Sequence, residues 1–541
     1  MGFTCRTALI AAAVLLQFIY ISAGVFDGVV TLPNGISLQG ELSSESADHQ
    51  QRTFAFYGIK YGTAARFEHS VLNEDWSYLA DPAQPKQGYA CPQVPSKVPN
   101  ANNQVPHMSE DCLYLDIYLP PAVQSQPDKK WPVMFFIHGG VFREGSKDIY
   151  NSTILAAATD AIVVTVNHRL SAFGFLSTMD QSAKGNWGLG DVKLALSWVR
   201  SNVVAFNGDV NRITLFGQSS GAGMVSALLL DDDIRENVKA GVAFSGSMLA
   251  PWALAKDAVD GTKSLAKKLR CPTNTNQAMV DCIKTVSVDR ILKHATGKDA
   301  TTNFVPVIDG VHIAKHPEQI LKDRAKRPGS GKSANFITGY MKEDMAYMLW
   351  LIMPQMMSDS FPYSHNMMLT TLTTYIAIRT GCPLYAPIAV LKLESFYKIK
   401  KGMSNREYRE ILVEIFTDAE FAVATLKEAN LYASIAPKTN QMYRISTDLD
   451  FHNLKAFHTM DVLHLFRGNL DAFMGPKTSD AVTASLHAFL RQVAHTGRST
   501  GPSVGRNAEI HDLNQAATWV KDKDNLRKLS FWRNLTPCSL W

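Results

Sequence analysis

The segment 212–225 constrains the fold of this chain more than any other; its sequence is Arg-Ile-Thr-Leu-Phe-Gly-Gln-Ser-Ser-Gly-Ala-Gly-Met-Val. The apolar run 213–216 predicts a short buried strand, and the small residues after Ser219 predict the start of a helix. Gly217 and Gly221 leave room for a sharp backbone bend that a Cβ would obstruct. A G-x-S-x-G pattern between a strand and a helix is typical of a nucleophile elbow, which raises the serine hydroxyl above the edge of a sheet.

Apolar runs elsewhere predict the sheet to which this strand belongs. Nearly continuous apolar runs are typical of parallel strands that are buried on both faces. They occupy residues 131–137, 161–166, 213–216 and 240–244. A helical pattern at 194–199 separates the second run from the third. This alternation predicts an α/β fold, with a central, mostly parallel sheet and helices on both faces. The second half is more helical, with its longest helical pattern at 408–431.

The first 24 residues resemble a signal peptide. Arg6 gives a positive start, residues 7–21 are apolar apart from Gln17, and residues 22–24 are small, as a cleavage site requires. The alternative is an uncleaved membrane anchor, but the apolar run is short for a membrane span. We therefore predict a secreted, extracellular protein with no stable membrane anchor. No linker rich in Pro, Gly or Ser divides the rest, so residues 25–541 are predicted to form one domain.

Secretion makes two modifications relevant. Six of the seven cysteines remain once Cys5 leaves with the signal, and an even number favours disulfides in an oxidising compartment. Spacing alone permits many pairings. Asn151 and Asn534 begin glycosylation sequons, and Pro537 makes the second a poorer acceptor.

The charge of the chain argues against nucleic acid as a partner. Its formal net charge is only +5 over 541 residues. The basic clusters at 322–327 and 398–401 are interpreted as solvated faces, because basic and aromatic residues are not interleaved as nucleic-acid binding would require. We expect a small-molecule substrate, and the sequence leaves the oligomeric state open.

Short blocks of distinctive sequence are spread along most of the chain. They occupy residues 110–115, 138–142, 167–170, 173–176, 185–189, 245–247, 251–252 and 307–310. In this order they resemble the type-B carboxylesterases, the cholinesterase-like branch of the α/β-hydrolases. The resemblance implies an α/β-hydrolase fold and hydrolysis of carboxylic esters through an acyl-enzyme on Ser219. It implies that neither a cofactor nor a metal is needed.

The resemblance also implies two disulfide bonds. They join Cys91 to Cys112 and Cys271 to Cys282. Cys382 does not lie where cholinesterases have their third bridge, so its pairing with Cys538 stays open.

The family's catalytic blocks match this chain in the order serine, acid, histidine that the fold requires. His458 lies in the matching histidine block, where Asp461 fills an acidic position that is interpreted as structural. Aligned from Gly339, the acid falls on Asp344, with Glu343 as the rival. Most relatives have Glu followed by Gly here, whereas this chain has Asp followed by Met. We predict a triad of the elbow serine, Asp344 as the orienting acid and His458 as general base and acid.

The glycine-rich segment 138–141 resembles the family's oxyanion loop. By position, the backbone N–H groups of Gly140, Val141 and Ser220 would stabilise the negative charge of the tetrahedral intermediate. Most relatives have a third glycine in place of Val141, whose β-branched side chain stiffens the loop and narrows the acyl side. Ser245 resembles the serine that hydrogen-bonds the acid in the family.

Two positions argue against choline esters. Asn102 stands where cholinesterases have a tryptophan that attracts the cation, and the neutral Gln218 stands where they have Glu before the serine. Trp252 resembles an acyl-pocket aromatic residue, and a core tryptophan is the alternative. We predict hydrolysis of uncharged esters. Gln218 also precedes the serine of insect juvenile hormone esterases, so long apolar esters are one alternative. The other, from a different class, is a non-catalytic adhesion or interaction protein, which this superfamily also contains.

Overall fold

The structure is a computed structural model and describes most of the chain between residues 26 and 537. The described residues are 26–43, 53–94, 105, 107–126, 128–295, 304–327, 334–358, 360–436, 440–446, 454–467, 479–499, 510–513, 519–522 and 524–537. The predicted signal peptide, Cys5, Asn102 and Cys538 lie outside them.

A large twisted sheet forms the centre of the described structure. Its eleven described strands lie in the order β15-β14-β13-β12-β11-β10-β8-β9-β7-β4-β3. The seven consecutive strands from β14 to β9 in this order are parallel to one another. The pairs outside them, β15–β14 at one edge and β9–β7, β7–β4 and β4–β3 at the other, are antiparallel. The strands are β1 Val29–Thr31, β2 Ser37–Gln39, β3 Glu41–Ser43, β4 Thr53–Lys60, β5 Gly62–Thr63, β6 Val71–Leu72, β7 Tyr114–Tyr118, β8 Trp131–Ile137, β9 Ile162–Val166, β10 Gly208–Gln218, β11 Ala240–Phe244, β12 Asn335–Met341, β13 Gln441–Ile445, β14 Ile510–Leu513 and β15 Trp519–Asp522.

The apolar runs of the sequence form the central strands, as predicted. β8 and β11 have the predicted bounds, and β9 begins one residue later than predicted. β10 is longer than its apolar run, because the half-exposed polar residues before Ile213 extend the strand beyond the core. Every residue of β8, β9, β11 and β12 is buried, which is the condition that favours a continuous apolar run over an alternating one.

Helices cover both faces of the sheet, which completes the predicted α/β architecture. Along β8, Val133, Phe135 and Ile137 pack into one hydrophobic core, while Met134 and Phe136 pack into a second core on the opposite face. The helices are α1 Thr153–Thr159, α2 Ser171–Phe175, α3 Trp187–Asn202, α4 Ser220–Leu228, α5 Asp232–Asn237, α6 Ala258–Leu269, α7 Asn276–Thr285, α8 Val288–Ala295, α9 Pro317–Ala325, α10 Asp344–Ile352, α11 His365–Thr380, α12 Ala386–Phe396, α13 Asn405–Thr417, α14 Val423–Ile435, α15 Met460–Leu465, α16 Asp480–Thr496 and α17 Asn525–Arg533.

The long helical pattern of the second half forms one nearly continuous rod that is interrupted by a wider turn. The five residues Asp418–Ala422 form a single π-helical turn between α13 and α14. Such turns insert an extra residue into a helix and are frequent at functional sites. The sequence predicted the rod but not this turn.

Disulfide bonds fix loops around the sheet. The structure joins Cys91 to Cys112 and Cys271 to Cys282. Cys382 is also disulfide-bonded. Within the described ranges, no helix has the length and apolar character needed to cross a membrane.

Candidate active site

Four loops meet at the carboxyl ends of neighbouring parallel strands, which is where open α/β sheets form their sites. β8 leads into His138, β10 into Ser219, and β11 into Ser245. β12 leads into Asp344 after a short turn. The parallel order of these strands therefore brings together loops that are far apart in the sequence.

Ser219 lies at a strained turn between β10 and α4. Its backbone has φ 57° and ψ −123°, a combination that side chains other than glycine rarely adopt. The N–H of Ser219 donates to the carbonyl of Phe244 at 2.8 Å, which ties the turn to the neighbouring strand. Strain of this kind persists only where the surrounding structure holds it, and it concentrates at functional sites.

Glycine is required on two sides of this turn. A Cβ on Gly221 would lie 2.1 Å from the carbonyl oxygen of Ile137, and one on Gly246 would lie 2.1 Å from the carbonyl oxygen of Ser219. Both contacts are with backbone atoms, which cannot move aside without shifting the strands. Gly246 was not singled out from the sequence, where it appears only as part of a Ser-Gly-Ser block.

Asp344 and His458, which are 114 residues apart, form a buried pair. The His458 Nδ1 lies 2.8 Å from Asp344 Oδ1, and the backbone N–H of Met341 donates to Asp344 Oδ2 at 2.9 Å. The Asp344 side chain is fully buried. Both carboxylate oxygens therefore have a donor, which offsets the cost of burying the charge.

Glu343 points to a different part of the molecule. Its side chain is half-buried and lines a charged surface pocket together with Lys342, Arg406 and Lys455. Its backbone N–H donates to the carbonyl of Ala456 at 3.0 Å, and the N–H of His458 donates to the carbonyl of Asp344 at 3.3 Å. These two backbone bonds join the acid loop to the histidine loop.

The other ring nitrogen of His458 faces the elbow. The amide nitrogen of Gln218, the residue before Ser219, lies 3.3 Å from His458 Nε2. Among the hydrogen bonds of the described residues, this neutral amide is the partner of Nε2. Gln218, whose neutral side chain argues against choline esters, thus directly contacts the imidazole of His458.

The loop after β8 presents backbone N–H groups beside the elbow. Gly140 has φ 116° and Val141 has φ 57°, and a β-branched residue at positive φ is a true outlier. A Cβ on Gly139 would touch the side chains of Gln218 and Ser219, so the loop lies against the elbow. Within the described residues, the N–H groups of Gly140, Val141 and Ser220 have no hydrogen-bond acceptor.

A buried amide holds the far end of this loop. Gln93 accepts a hydrogen bond from the N–H of Gly145 at 2.8 Å, and its amide nitrogen donates to the carbonyl of Gly145 at 2.9 Å. The same nitrogen donates to the carbonyl of Cys91 at 3.1 Å, so the Cys91–Cys112 disulfide and the loop are linked through one side chain. No sequence signal pointed to Gln93, because its partner is 52 residues away.

Aromatic side chains form a wall beside the histidine. The Phe421 ring lies 4.7 Å from the His458 ring, and the Trp252 ring lies 5.8 Å from Phe421 and 6.2 Å from Phe142. Trp252 Nε1 donates to the carbonyl of Glu420 at 2.9 Å. Trp252 therefore belongs to this wall rather than to the deep core, and Phe421 reaches it from the π-helical turn.

A buried ion pair holds the π-helical turn in place. The Arg379 guanidinium forms two hydrogen bonds to the Glu420 carboxylate, at 2.7 and 2.6 Å, and the Tyr375 hydroxyl donates to the same group. Tyr375 and Arg379 lie on α11 and Glu420 lies next to Phe421, so α11 supports the aromatic wall. The only sequence signal for this ion pair was a carboxylate, Glu420, within the mostly apolar stretch 419–426, because a buried charge needs a partner.

Two further residues from the family resemblance, Ser245 and Asp461, are also buried near the pair. Ser245 was expected to hydrogen-bond Asp344, but its buried hydroxyl has no partner among the described residues. Asp461 is buried beside the pair and accepts from the N–H of Val462 at 2.8 Å. Burial raises the pKa of Asp461 to about 7, against the opposing influence of His458.

The sheet order and the helices on both faces define the α/β-hydrolase fold. The sequence matches the family model described as the carboxylesterase family over residues 27–525. The chain belongs to the carboxylesterase family.

Three relatives illustrate the range of this family. A carboxylic ester hydrolase of Bombus ignitus is 35% identical over 310 residues, which is 55% of this chain and 54% of that protein. A bile salt-activated lipase of Mus musculus is 33% identical over 342 residues, 60% of this chain and 53% of that protein. Neuroligin-2 of Mus musculus is 34% identical over 304 residues, 49% of this chain and 36% of that protein. The chain thus spans about half the length of the first two relatives and less of the third.

Proposed function

We propose that this chain is a secreted carboxylic ester hydrolase that forms an acyl-enzyme on Ser219. The observation that carries the proposal is the buried 2.8 Å contact between His458 Nδ1 and Asp344 Oδ1, next to a serine held in a strained elbow. The names of two relatives, a carboxylic ester hydrolase and a bile salt-activated lipase, are those of ester-cleaving enzymes.

The geometry supports a defined role for each group. Asp344 accepts the Nδ1 proton of His458, which leaves the Nε2 lone pair facing the elbow, where the Gln218 amide contacts it. In the reaction, the Ser219 hydroxyl takes the place of that amide and gives its proton to Nε2 as the serine oxygen bonds the acyl carbon. His458 then gives that proton to the leaving alcohol, and water reverses the sequence to release the acid. The N–H groups of Gly140, Val141 and Ser220 would receive the oxyanion, and their lack of other acceptors in the described structure supports this role.

We propose uncharged esters as the substrates. On the side of His458 away from Asp344, the side chains in contact with the ring include the apolar Phe421 and the neutral Gln218. A quaternary ammonium group would therefore find no carboxylate at Gln218 to balance its charge. The wall of Phe142, Trp252 and Phe421 favours an apolar acyl group, and long apolar esters are the extended form of the same proposal.

Secretion belongs to the same proposal. The disulfides Cys91–Cys112 and Cys271–Cys282 suit an oxidising compartment. Of the two sequons, Asn534 has an exposed side chain, whereas Asn151 is half-buried and accepts a hydrogen bond from the N–H of Thr153. We propose glycosylation at both asparagines and expect Asn534 to be the more accessible.

Covalent labelling tests the proposal most directly. A fluorophosphonate should label the purified protein at one site, which peptide mapping should locate at Ser219. Ser219→Ala should remove the label, while Ser201→Ala, which removes an exposed serine on α3, should keep it. An unlabelled wild-type protein that is folded by circular dichroism would contradict the catalytic assignment.

A substrate comparison tests the choice of ester. The value of kcat/KM should be about tenfold or more higher for a neutral isostere than for acetylcholine, because a quaternary ammonium group would lose hydration without a carboxylate at Gln218 to balance its charge. Equal values for the two esters would overturn the assignment to uncharged substrates without affecting the triad.

The neuroligin-2 relatives support a second candidate, a non-catalytic interaction protein. Neuroligin-2 of Mus musculus is about as similar to this chain as the ester hydrolases are. The labelling experiment separates the two, since an interaction protein has no reactive serine.

A further inference from the structure

Exposed apolar side chains concentrate on the helical hairpin formed by α11 and α12, away from the triad. Leu384 is 88% exposed and Ile378 is 75% exposed, and Ile388 and Leu391 are more than half exposed. Ile388 and Leu391 are three residues apart on α12, which places them on one face of that helix. Leu384 lies in the 3-10 turn Pro383–Tyr385 just before it. Contiguous exposed apolar surface marks interaction sites in soluble proteins.

The hairpin presents these side chains from a fixed position. Leu372 and Ile376 of α11 and Ala389 and Leu393 of α12 are buried, so the inner face of each helix is packed into the molecule. Cys382, at the turn between the helices, is disulfide-bonded. The apolar residues are therefore held outward by a packed scaffold.

The hairpin carries more positive than negative side chains. From residue 365 to residue 401, the chain has five Lys and Arg side chains, of which Arg379 is paired with Glu420, and one carboxylate, that of Glu394. Glu394 is engaged by His365 Nε2 at 2.7 Å. Lys398, Lys400 and Lys401 are exposed just after α12, so exposed cations follow the apolar residues at the end of the hairpin.

The charge distinguishes between the possible occupants of this surface. In a symmetric dimer, the same patch meets itself, so two positively charged hairpins would be brought together. An anionic lipid surface attracts the lysines and accepts the apolar side chains at the same time. We propose that the α11–α12 hairpin docks this protein on an anionic lipid surface.

Docking would bring the candidate active site close to the lipid. Arg379, next to Ile378, holds Glu420, and the neighbouring Phe421 packs on His458. The hairpin and the aromatic wall are thus connected through one ion pair. An apolar ester dissolved in the lipid would reach the wall without a long path through water.

Vesicle binding tests the proposal without any substrate. The full chain is sedimented with phosphatidylcholine vesicles that contain or lack phosphatidylserine, at low and high salt. Wild type should bind the anionic vesicles and lose most of this binding at high salt, because exposed charges are screened. Leu384→Ser/Ile388→Ser and Lys398→Gln/Lys400→Gln/Lys401→Gln should each lower the partition coefficient roughly tenfold or more.

The control variant removes two apolar side chains that are also more than half exposed but lie outside the hairpin. Val71→Ser/Val311→Ser changes two exposed residues outside the hairpin and should bind as wild type does. All variants should hydrolyse a soluble ester equally, so a failure of docking is distinct from a failure of the proposed catalysis. Hairpin variants that bind like wild type would overturn the proposal. So would a wild type that ignores both vesicles and forms a dimer that Leu384→Ser/Ile388→Ser dissociates.

Discussion

The nucleophile elbow and the acid–histidine region are built in different ways. The elbow occupies a few consecutive residues, and backbone contacts at Gly221 and Gly246 exclude any larger residue there. The acid–histidine region joins two loops 114 residues apart and depends on residues from α11, β12 and the π-helical turn. Local sterics therefore fix the position of the candidate nucleophile, whereas long-range packing fixes the position of its proposed partners.

The largest expected effect is at the elbow itself. Ser219→Ala should lower kcat for a neutral aryl ester by about 10⁶, the usual result of removing a catalytic serine. Because the change removes only one oxygen, circular dichroism and the melting temperature should stay close to wild type. Residual turnover within tenfold of wild type would place the nucleophile elsewhere.

The next effect distinguishes the two neighbouring carboxylates of the acid loop. Asp344→Asn should lower kcat by about 10⁴, because an amide favours the wrong imidazole tautomer. Glu343→Gln is the matched control and should change kcat by less than about tenfold, since Glu343 lines a surface pocket.

Both variants are measured on the same ester, with folding checked by circular dichroism. If Glu343→Gln were the impaired variant, the register of the acid loop would be shifted by one residue. If neither were impaired, the acid would come from another segment.

A smaller effect is expected where α11 supports the acid–histidine region from a distance. Arg379→Met leaves the Glu420 carboxylate buried without its cation and should lower the free energy of unfolding by about 3 kcal/mol. Because Phe421 then loses its support, KM for an aryl ester should rise more than kcat falls. Arg379→Lys, which keeps the charge but not the paired hydrogen bonds, should recover part of both.

Urea denaturation and steady-state kinetics measure these two changes. A loss of stability with unchanged KM would show that the ion pair stabilises the fold without positioning the aromatic wall.

The smallest expected effect concerns a carboxyl group beneath the elbow. Glu428 on α14 is fully buried and accepts a hydrogen bond from Ser226 of α4, and burial raises its pKa from 4.5 to about 7. A raised carboxyl pKa means that the folded state binds the proton more tightly than the unfolded state does. Stability from this group is therefore complete below pH 4.5 and is lost as the pH rises through about 7.

Glu428→Gln tests this dependence. Between pH 4.5 and pH 8, wild type should lose on the order of 2 kcal/mol of unfolding free energy that the variant keeps. Urea denaturation at several pH values measures the difference. The contribution of Asp461 to the pH dependence is the same in both proteins, so it does not affect this difference. Parallel stability curves for the two proteins would show that Glu428 is not responsible.

Much of the fold and part of the site could be predicted from local sequence. The apolar runs at 131–137 and 240–244 predict the bounds of β8 and β11 correctly, because a strand buried on both faces needs apolar residues throughout. The elbow was recognisable because a strand, a bend between glycines and a helix follow one another directly. The family resemblance supplied His458 and Asp344, which no periodicity would have selected.

The remaining features were decided by tertiary structure, because they join residues with no local relation to each other. The π-helical turn is invisible to helical periodicity, and the support of Phe421 by Arg379 crosses from one helix to another. The expected Ser245–Asp344 bond is absent from the described structure, where His458 and the backbone N–H of Met341 are the donors to Asp344. The sequence by itself determined the four central strands β8 to β11, the elbow and the order of the candidate triad. Only the folded chain decided which side chains hold them, since packing and hydrogen-bond partners depend on distance in space rather than along the chain.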